Sequence, residues 1–570
     1  VVRHLSGTRP PPGVANRLNQ ATIDQNAHDA DATIDQNGEG GTSTIFQSVT
    51  GSNSSALSTQ LGEDNSSIIN QTGVDSLATV SQSSGPGTAG NGSISTVDQG
   101  GISNDAFVTQ NGAQNLSDID QSGGNNVGTV DQLGSRNSSD IDQGASNNTA
   151  NVSQEGDDNV STLRQAGNVG NVNVSQTGDR NDSDVFEAGR RNTANVDQTG
   201  DDNESIINRQ FGEDNLANVS QAGDNGFSRI RQFGTFNTAD LDQSSGSDNA
   251  SLILQGVDEA NTMAVPAATG NEAGVSQSGD RNDSVVVQTG SDGIAGVDQT
   301  GNDNGSRVEQ SGASDIADVM QTGDNNGSTV LQSGAEATAL VIQEGNNNGS
   351  TVDQSGSPLN RVDVAQIGDN NVSGVTQAAG RNVAEIDQLG DNGRSSVIQN
   401  GPRNVVDDGY DGIDGTDQNG AGVRQRVGSV GAESDIVQNG SRGYAQVDQG
   451  GVSNYSSIEQ GAAGRDGNVY ANVTQIGDNN DSFIDQGLGD TDNPKDDLFA
   501  TVTQTGSGNY SDIVQNGDRH NATVLQEGSS NDSFIDQSGT NNTANVTQAS
   551  DGNISTVTQG GTGNTAIVNQ

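Results

Sequence analysis

Cysteine and tryptophan are absent from the 570 residues, and proline occurs only 8 times. Without cysteine there are no disulfides, no thiolate nucleophile and no thiolate metal site, although this leaves the compartment open. Aromatic residues make up 3% and all hydrophobic residues 28% of the chain, too little to fill the thick cores that its length would otherwise suggest. The three histidines, His4, His28 and His520, are scattered, so no zinc or iron cluster is encoded. No apolar run reaches the roughly 18 residues of a membrane helix. Positive charge is scarce as well: 23 Lys and Arg stand against 75 Asp and Glu, a formal net charge of −52. Such acidity argues against nucleic-acid backbones as partners and favours cations and solubility. The opening VVRHLSGTRPPPGVANRLNQ has no apolar segment of the signal-peptide type, so an exported protein is expected to have lost its signal before this point. High charge with few apolar groups marks either disorder or a thin core of small side chains.

What the chain has instead is a repeat. Gln110, Gln121, Gln132, Gln143, Gln154, Gln165 and Gln176 follow one another at a spacing of eleven, and so do Gln504, Gln515, Gln526, Gln537, Gln548, Gln559 and Gln570. Gly stands two residues after most of these, Asn six before, Ala or Ser four before, and Val or Ile two before. About 46 such units run from Gln25 to Gln570. The small residue alternates, as in Ala295, Ser306, Ala317, Ser328, Ala339 and Ser350, so the true repeat is 22 residues in two halves. Interruptions keep this order: after Gln399 the next unit reads Ala421-Gly-Val423-Arg-Gln425, followed by Ser434-Asp-Ile436-Val-Gln438. Disorder gives no reason to keep such a phase.

Positions two apart share one side of an extended strand, which places Asn, Ala or Ser, Val or Ile, and Gln inward and the charged residues outward. Apolar returns at three and four residues, needed for a helix, are missing. Because eleven is odd, a tight arc must absorb one residue per unit; Gly supplies positive φ there, and Asn suits left-handed backbone or a bond to its own main chain. The expectation is an all-β fold, a parallel β-solenoid (cross-β) with two short strands per 22-residue coil and about 23 coils. Val308, Val319, Ala317 and Ser328 then belong to the core. The glutamines Gln504, Gln515, Gln526, Gln537, Gln548, Gln559 and Gln570, with Asn509 and Asn542, form amide ladders in which each side chain bonds to its copy in the next coil.

The unit Gln537-Ser-Gly539-Thr-Asn-Asn542-Thr-Ala544-Asn-Val546-Thr-Gln548 resembles the curlin repeat of curli major subunits. The resemblance covers nearly everything after residue 20 and implies an extracellular, amyloid-like fibre subunit of bacterial biofilms. It also implies partners: other copies of itself, a secretion or nucleator protein, and other matrix components. The chain is much longer than the family's subunits and keeps Asn in both half-repeats, where the family often has Ser in one. Two units depart from the pattern, with His520 in place of Asn and Glu187 in place of Gln.

Residues 1–20 read as a basic, Pro-containing arm with Arg3, His4, Arg9 and Arg17, either a disordered leader or a segment that docks on an acidic neighbour. Residues 21–570 read as one continuous solenoid with outward loops near 83–91, 256–270, 400–420, 461–470 and 487–499, each placed at a turn. In 407–417, Asp407, Asp408, Asp411, Asp414 and Asp417 lie close together with three glycines; Asp407, Asp411, Asp414 and Asp417 suit Ca²⁺, and a solvated acidic loop is the alternative. No other cofactor is called for. No motif selects a catalytic set, so the chain is read as no enzyme. The sequence stops on Asn569-Gln570 with no polar cap, from which head-to-tail assembly is expected. A monomeric solenoid adhesin or ligand-binding stalk is the alternative.

Overall fold

The computed structural model describes residues 2–6, 18–48, 52–84, 91–257, 268–356, 358–402, 405–406, 422–440, 442–461, 469–487 and 497–570. Most of these residues lie in short strands, and no helix occurs among them. The chain forms two compact units, Val1–Arg281 with Val287–Thr289, and Asn282–Val286 with Gly290–Gln570.

Within the first unit, Val127–Leu133 pairs in parallel with Asp105–Asn111 before it and Thr149–Glu155 after it, Gln132 lying opposite Gln110 and Gln154. The intervening strands Leu116–Gln121 and Ser138–Gln143 pair with each other, again Gln against Gln. Successive strands therefore alternate between two parallel sheets, and two strands complete one coil. The second unit repeats the arrangement: Ile316–Thr322 lies between Ile294–Thr300 and Thr338–Glu344, while Gly305–Gln310 pairs with Gly327–Gln332. Each unit is a parallel β-solenoid.

The alternation of the sequence becomes the two faces of each strand. In Leu116–Gln121 every second residue is buried, namely Ser117, Ile119 and Gln121. Val308, Val319, Ala317 and Ser328 are all buried between the sheets. Burial of one Val or Ile contributes about 1.5–3 kcal/mol, which cannot order a coil alone; the neighbours above and below complete it.

The turns differ from expectation in one respect. The inward Asn does not take the left-handed backbone; the residue before it does, most often another Asn or Asp, as at Asn147 (φ 60) and Asp158 (φ 62), but also Arg136 (φ 62), Val169 (φ 63) and Phe236 (φ 59). Asn itself points inward, because its side chain is used elsewhere. The glycine two residues after Gln is needed for two reasons. At Gly156 φ is 119, and a Cβ built there would lie 2.0 Å from the carbonyl oxygen of Gly178 in the next coil.

Register survives the interruptions. Gln243 pairs with Gln277, Gln399 with Gln438, Gln460 with Gln486 and Gln475 with Gln504. The interruption near 400–420 does not sit at a turn. Val405–Val406 pairs with Val383 and Ala384, and Val423–Gln425 with Ile386–Gln388, so one strand is split and resumes in register. Val406, rather than Ala421, lies opposite Ala384. The bodies of the other interruptions, 85–90, 258–267, 462–468 and 488–496, lie outside the described residues. So do most of residues 1–20, of which Val2–Ser6 forms a strand parallel to Ile34–Gly38.

Candidate assembly site: the amide ladders

The site with the most regular chemistry is the pair of amide columns along each sheet. In the first unit, Gln110 Nε2 donates to Gln132 Oε1 (2.9 Å), Gln132 to Gln154 (2.8 Å) and Gln154 to Gln176 (2.8 Å). The second amide hydrogen crosses the coil: Gln132 Nε2 also donates to the Leu116 carbonyl on the facing strand (2.9 Å). Each buried glutamine thus ties its coil to the next and its two sheets to each other. A buried amide that meets all these partners avoids a desolvation cost of about 1–3 kcal/mol per group.

The same bonds run through the C-terminal glutamines. Gln504 donates to Gln526 (2.9 Å), Gln515 to Gln537 (3.0 Å), Gln526 to Gln548 (2.9 Å), Gln537 to Gln559 (2.8 Å) and Gln548 to Gln570 (3.1 Å). All of these bonds have one direction, with Nε2 aimed at the later coil and Oε1 at the earlier one.

The asparagine columns work differently from a simple amide-on-amide ladder. Asn159 N–H donates to Asn137 Oδ1 (3.0 Å), and Asn137 Nδ2 donates to the carbonyl of Gly156 (2.8 Å). The side chain therefore satisfies two main-chain groups of the next turn. Asn509 adds an amide contact: its Nδ2 reaches both Asn480 Oδ1 (3.1 Å) and the Gly528 carbonyl (2.8 Å). Asn542 Nδ2 donates to Ser538 O (2.8 Å) and Gly561 O (3.2 Å). Glycine and asparagine are coupled, since a close carbonyl at the turn is what Nδ2 requires.

Three positions replace an amide by a titratable group. Glu187 occupies a glutamine position and is buried; Gln165 Nε2 donates to its Oε2 (3.1 Å). Its Oε1 has no partner, and neither does Oε1 of Gln210, the residue opposite it in the next coil. Register shifts at this rung, where Gln198 and Gln210 are separated by one residue more than the period. Burial pushes the Glu187 carboxyl up to about 8, so near neutrality it carries a proton that a glutamate O–H can donate where Gln would use N–H.

Asp315 occupies an asparagine position; Ala337 N–H donates to its Oδ1 (3.0 Å), while Oδ2 is orphaned. Burial raises it to about 6, against main-chain hydrogen bonding, chiefly from Ala337, that pulls it down. His520 accepts from Asn542 N–H at Nδ1 (3.3 Å), which leaves Nε2–H for the Asn516 carbonyl (3.3 Å). Burial lowers its pKa, in keeping with the neutral ring. Each of the three imitates an amide in one protonation state. The sequence marked Glu187 and His520 as exceptions but not Asp315, although its place six residues before Gln321 was the available signal.

The serine column makes no comparable network beyond local contacts such as Ser43 with Ser67 (2.9 Å) and Ser555 with Ser533 (3.3 Å). Ser117, Ser139, Ser161, Ser183 and Ser328 have buried hydroxyls without a hydrogen-bond partner. The outward faces carry charge. Asp118, Asp120 and Asp140 are raised by burial first and by repulsion from neighbouring aspartates, Asp98 and Asp142 among them, second. At the turns, Arg136 and Arg180 each grip an Asp of the next coil through two bonds, to Asp158 (2.6 and 2.6 Å) and Asp202 (2.6 and 2.7 Å). Turn carboxylates also cap main chain, as where Asp157 N–H donates to Asp179 Oδ1 (2.8 Å). Asp407, Asp411, Asp414 and Asp417, with the rest of 407–421, lie outside the described residues. Among those described, no group of three or more His, Asp or Glu is placed to hold a metal ion.

The curlin-associated repeat matches residues 112–144, 189–225, 268–301 and 511–539. The chain carries curlin-associated repeats. The four curlin matches fall on segments whose strands carry the Gln and Asn columns, among them Leu116–Gln121 and Tyr510–Asp518. Curlin repeats on a β-solenoid fit a structural protein of the curli kind. No curated protein matches the chain.

Proposed function

We propose that this protein is an extracellular structural subunit that polymerises head to tail into amyloid-like fibres of a biofilm matrix or surface coat. The observation that carries the reading is the one-way, repeated bonding of the Gln columns. Along the column from Gln110 to Gln198, each coil offers an Nε2 donor on one side and an Oε1 acceptor on the other at nearly constant distance. A coil of a second copy therefore meets the same donors, acceptors and apolar stripe that a neighbouring coil of the same chain provides. The curlin matches support the same reading and the cell-surface location. Secretion or nucleator proteins and other matrix components are the partners this role calls for, and calcium is a candidate counter-ion for so acidic a surface.

Sizing and electron microscopy of purified protein over a range of concentrations test the proposal. Unbranched filaments whose growth is seeded by their own fragments are expected. A monomer that persists at high concentration and moderate salt would overturn it and favour the adhesin role.

A further inference from the structure

Four of the chain's five tyrosines fall between residues 444 and 510, and the described ones stand in two outward columns of the second unit. On one sheet, Tyr444 in Gly443–Gly450 lies directly opposite Tyr470 in Val469–Ile476. Their rings are 4.6 Å apart and within 12° of parallel, and both are half-buried. On the other sheet, Phe483 separates Tyr455 from Tyr510, with ring distances of 5.4 and 5.5 Å. Tyr410 lies outside the described residues. The register thus brings one pair of phenols together in adjacent coils and keeps the other pair two coils apart.

We propose that Tyr444 and Tyr470 form a site of oxidative cross-linking, closing an intrachain dityrosine. Each phenol gives one electron and one proton to a one-electron oxidant such as a haem peroxidase turning over hydrogen peroxide. The two radicals join through ring carbons ortho to the hydroxyls, and the proton on each joined carbon moves to its oxygen as the rings regain aromaticity. Two tyrosines lose two electrons and two protons in all, and these reduce one peroxide to two waters. Parallel strands fix the spacing, and partial exposure lets either ring swing about its Cβ to bring the ortho carbons into contact. In a chain without cysteine this reaction supplies the covalent tie between coils that a disulfide supplies elsewhere.

The test treats the folded, full chain with a haem peroxidase and hydrogen peroxide and maps cross-linked peptides by mass spectrometry. A Tyr444–Tyr470 pair, two hydrogens lighter than its parts, is expected to form about tenfold or more faster than any other tyrosine pair, because the rings are held together. Its rate should not depend on protein concentration. Y470F retains the ring stack and should abolish this product while leaving the circular dichroism unchanged; in urea the preference should vanish. A yield that follows protein concentration, an equal yield of Tyr455–Tyr510, or selectivity that survives urea would overturn the assignment.

Discussion

Replacing Glu187 by Gln should strengthen the stack at neutral pH. The variant removes an orphaned acceptor and restores an Nε2–H donor facing Gln210 Oε1. The magnitude follows from linkage. The carboxyl is held at about 8 in the fold against 4.5 for its ordinary value. Because the folded pKa is the higher one, its contribution is fully present below about 4.5 and is lost as pH rises toward about 8. At pH 7 the cost of carrying the proton is then ~3 kcal/mol, with each pKa unit worth ~1.4 kcal/mol. The charged residues on the flanking strands, Arg164, Asp182, Asp184 and Glu204, are exposed and point away from the rung. Hydrogen exchange in Val160–Gln165, Asp182–Glu187 and Glu204–Glu213, compared between variant and parent at each pH, is the assay. Protection should be equal near pH 4 and should diverge in the variant's favour through neutrality. Equal protection at pH 7, or a difference that does not change with pH, would refute the reasoning.

Other substitutions probe the remaining columns. Gly156→Ala places a Cβ 2.0 Å from the Gly178 carbonyl at a positive φ, so local unfolding worth several kcal/mol should appear as a lower denaturation midpoint. Ser328→Ala should be neutral or stabilising by up to ~1 kcal/mol in urea titration, since the buried hydroxyl has no partner. Val308→Asp should cost several kcal/mol by the same titration, whereas Thr329→Asp, on the outward face, should cost far less. Asp315→Asn should stabilise its coil above about pH 6 and bring no gain well below it, read by local exchange. His520→Asn should matter most in acid, where protonation of the ring abolishes acceptance from Asn542 N–H.

Strand alternation and the 22-residue coil were legible because inward residues recur at a strict period and the small residue keeps its Ala/Ser phase. Val308, Val319, Ala317 and Ser328 are placed by that pattern alone. The division of labour between the amides was not. Gln and Asn look alike in the sequence, and only the turn shows that Asn137 serves the main chain of Gly156 and Asn159 while Gln132 serves Gln154 and a facing strand. The left-handed residue is hidden for a related reason. Asn and Asp mark many of these positions, as at Asn147 and Asp158, but stacking imposes the same backbone on Arg136, Val169 and Phe236 against their own preferences, so residue type alone does not locate it. The split strand at Val405–Val406 and Val423–Gln425 escaped because Ala421 offered a nearer match to the period than Val406. Most hydroxyls of the serine column lack partners, so small size is the property being repeated.

X-ray diffraction from aligned, assembled protein tests the central claim most directly. If copies join through the same Gln and Asn columns that join coils, one reflection near 4.8 Å must lie along the fibre axis, with no helical signal. Filaments whose strands run along the fibre axis, or protein that yields no ordered fibre at all, would contradict it.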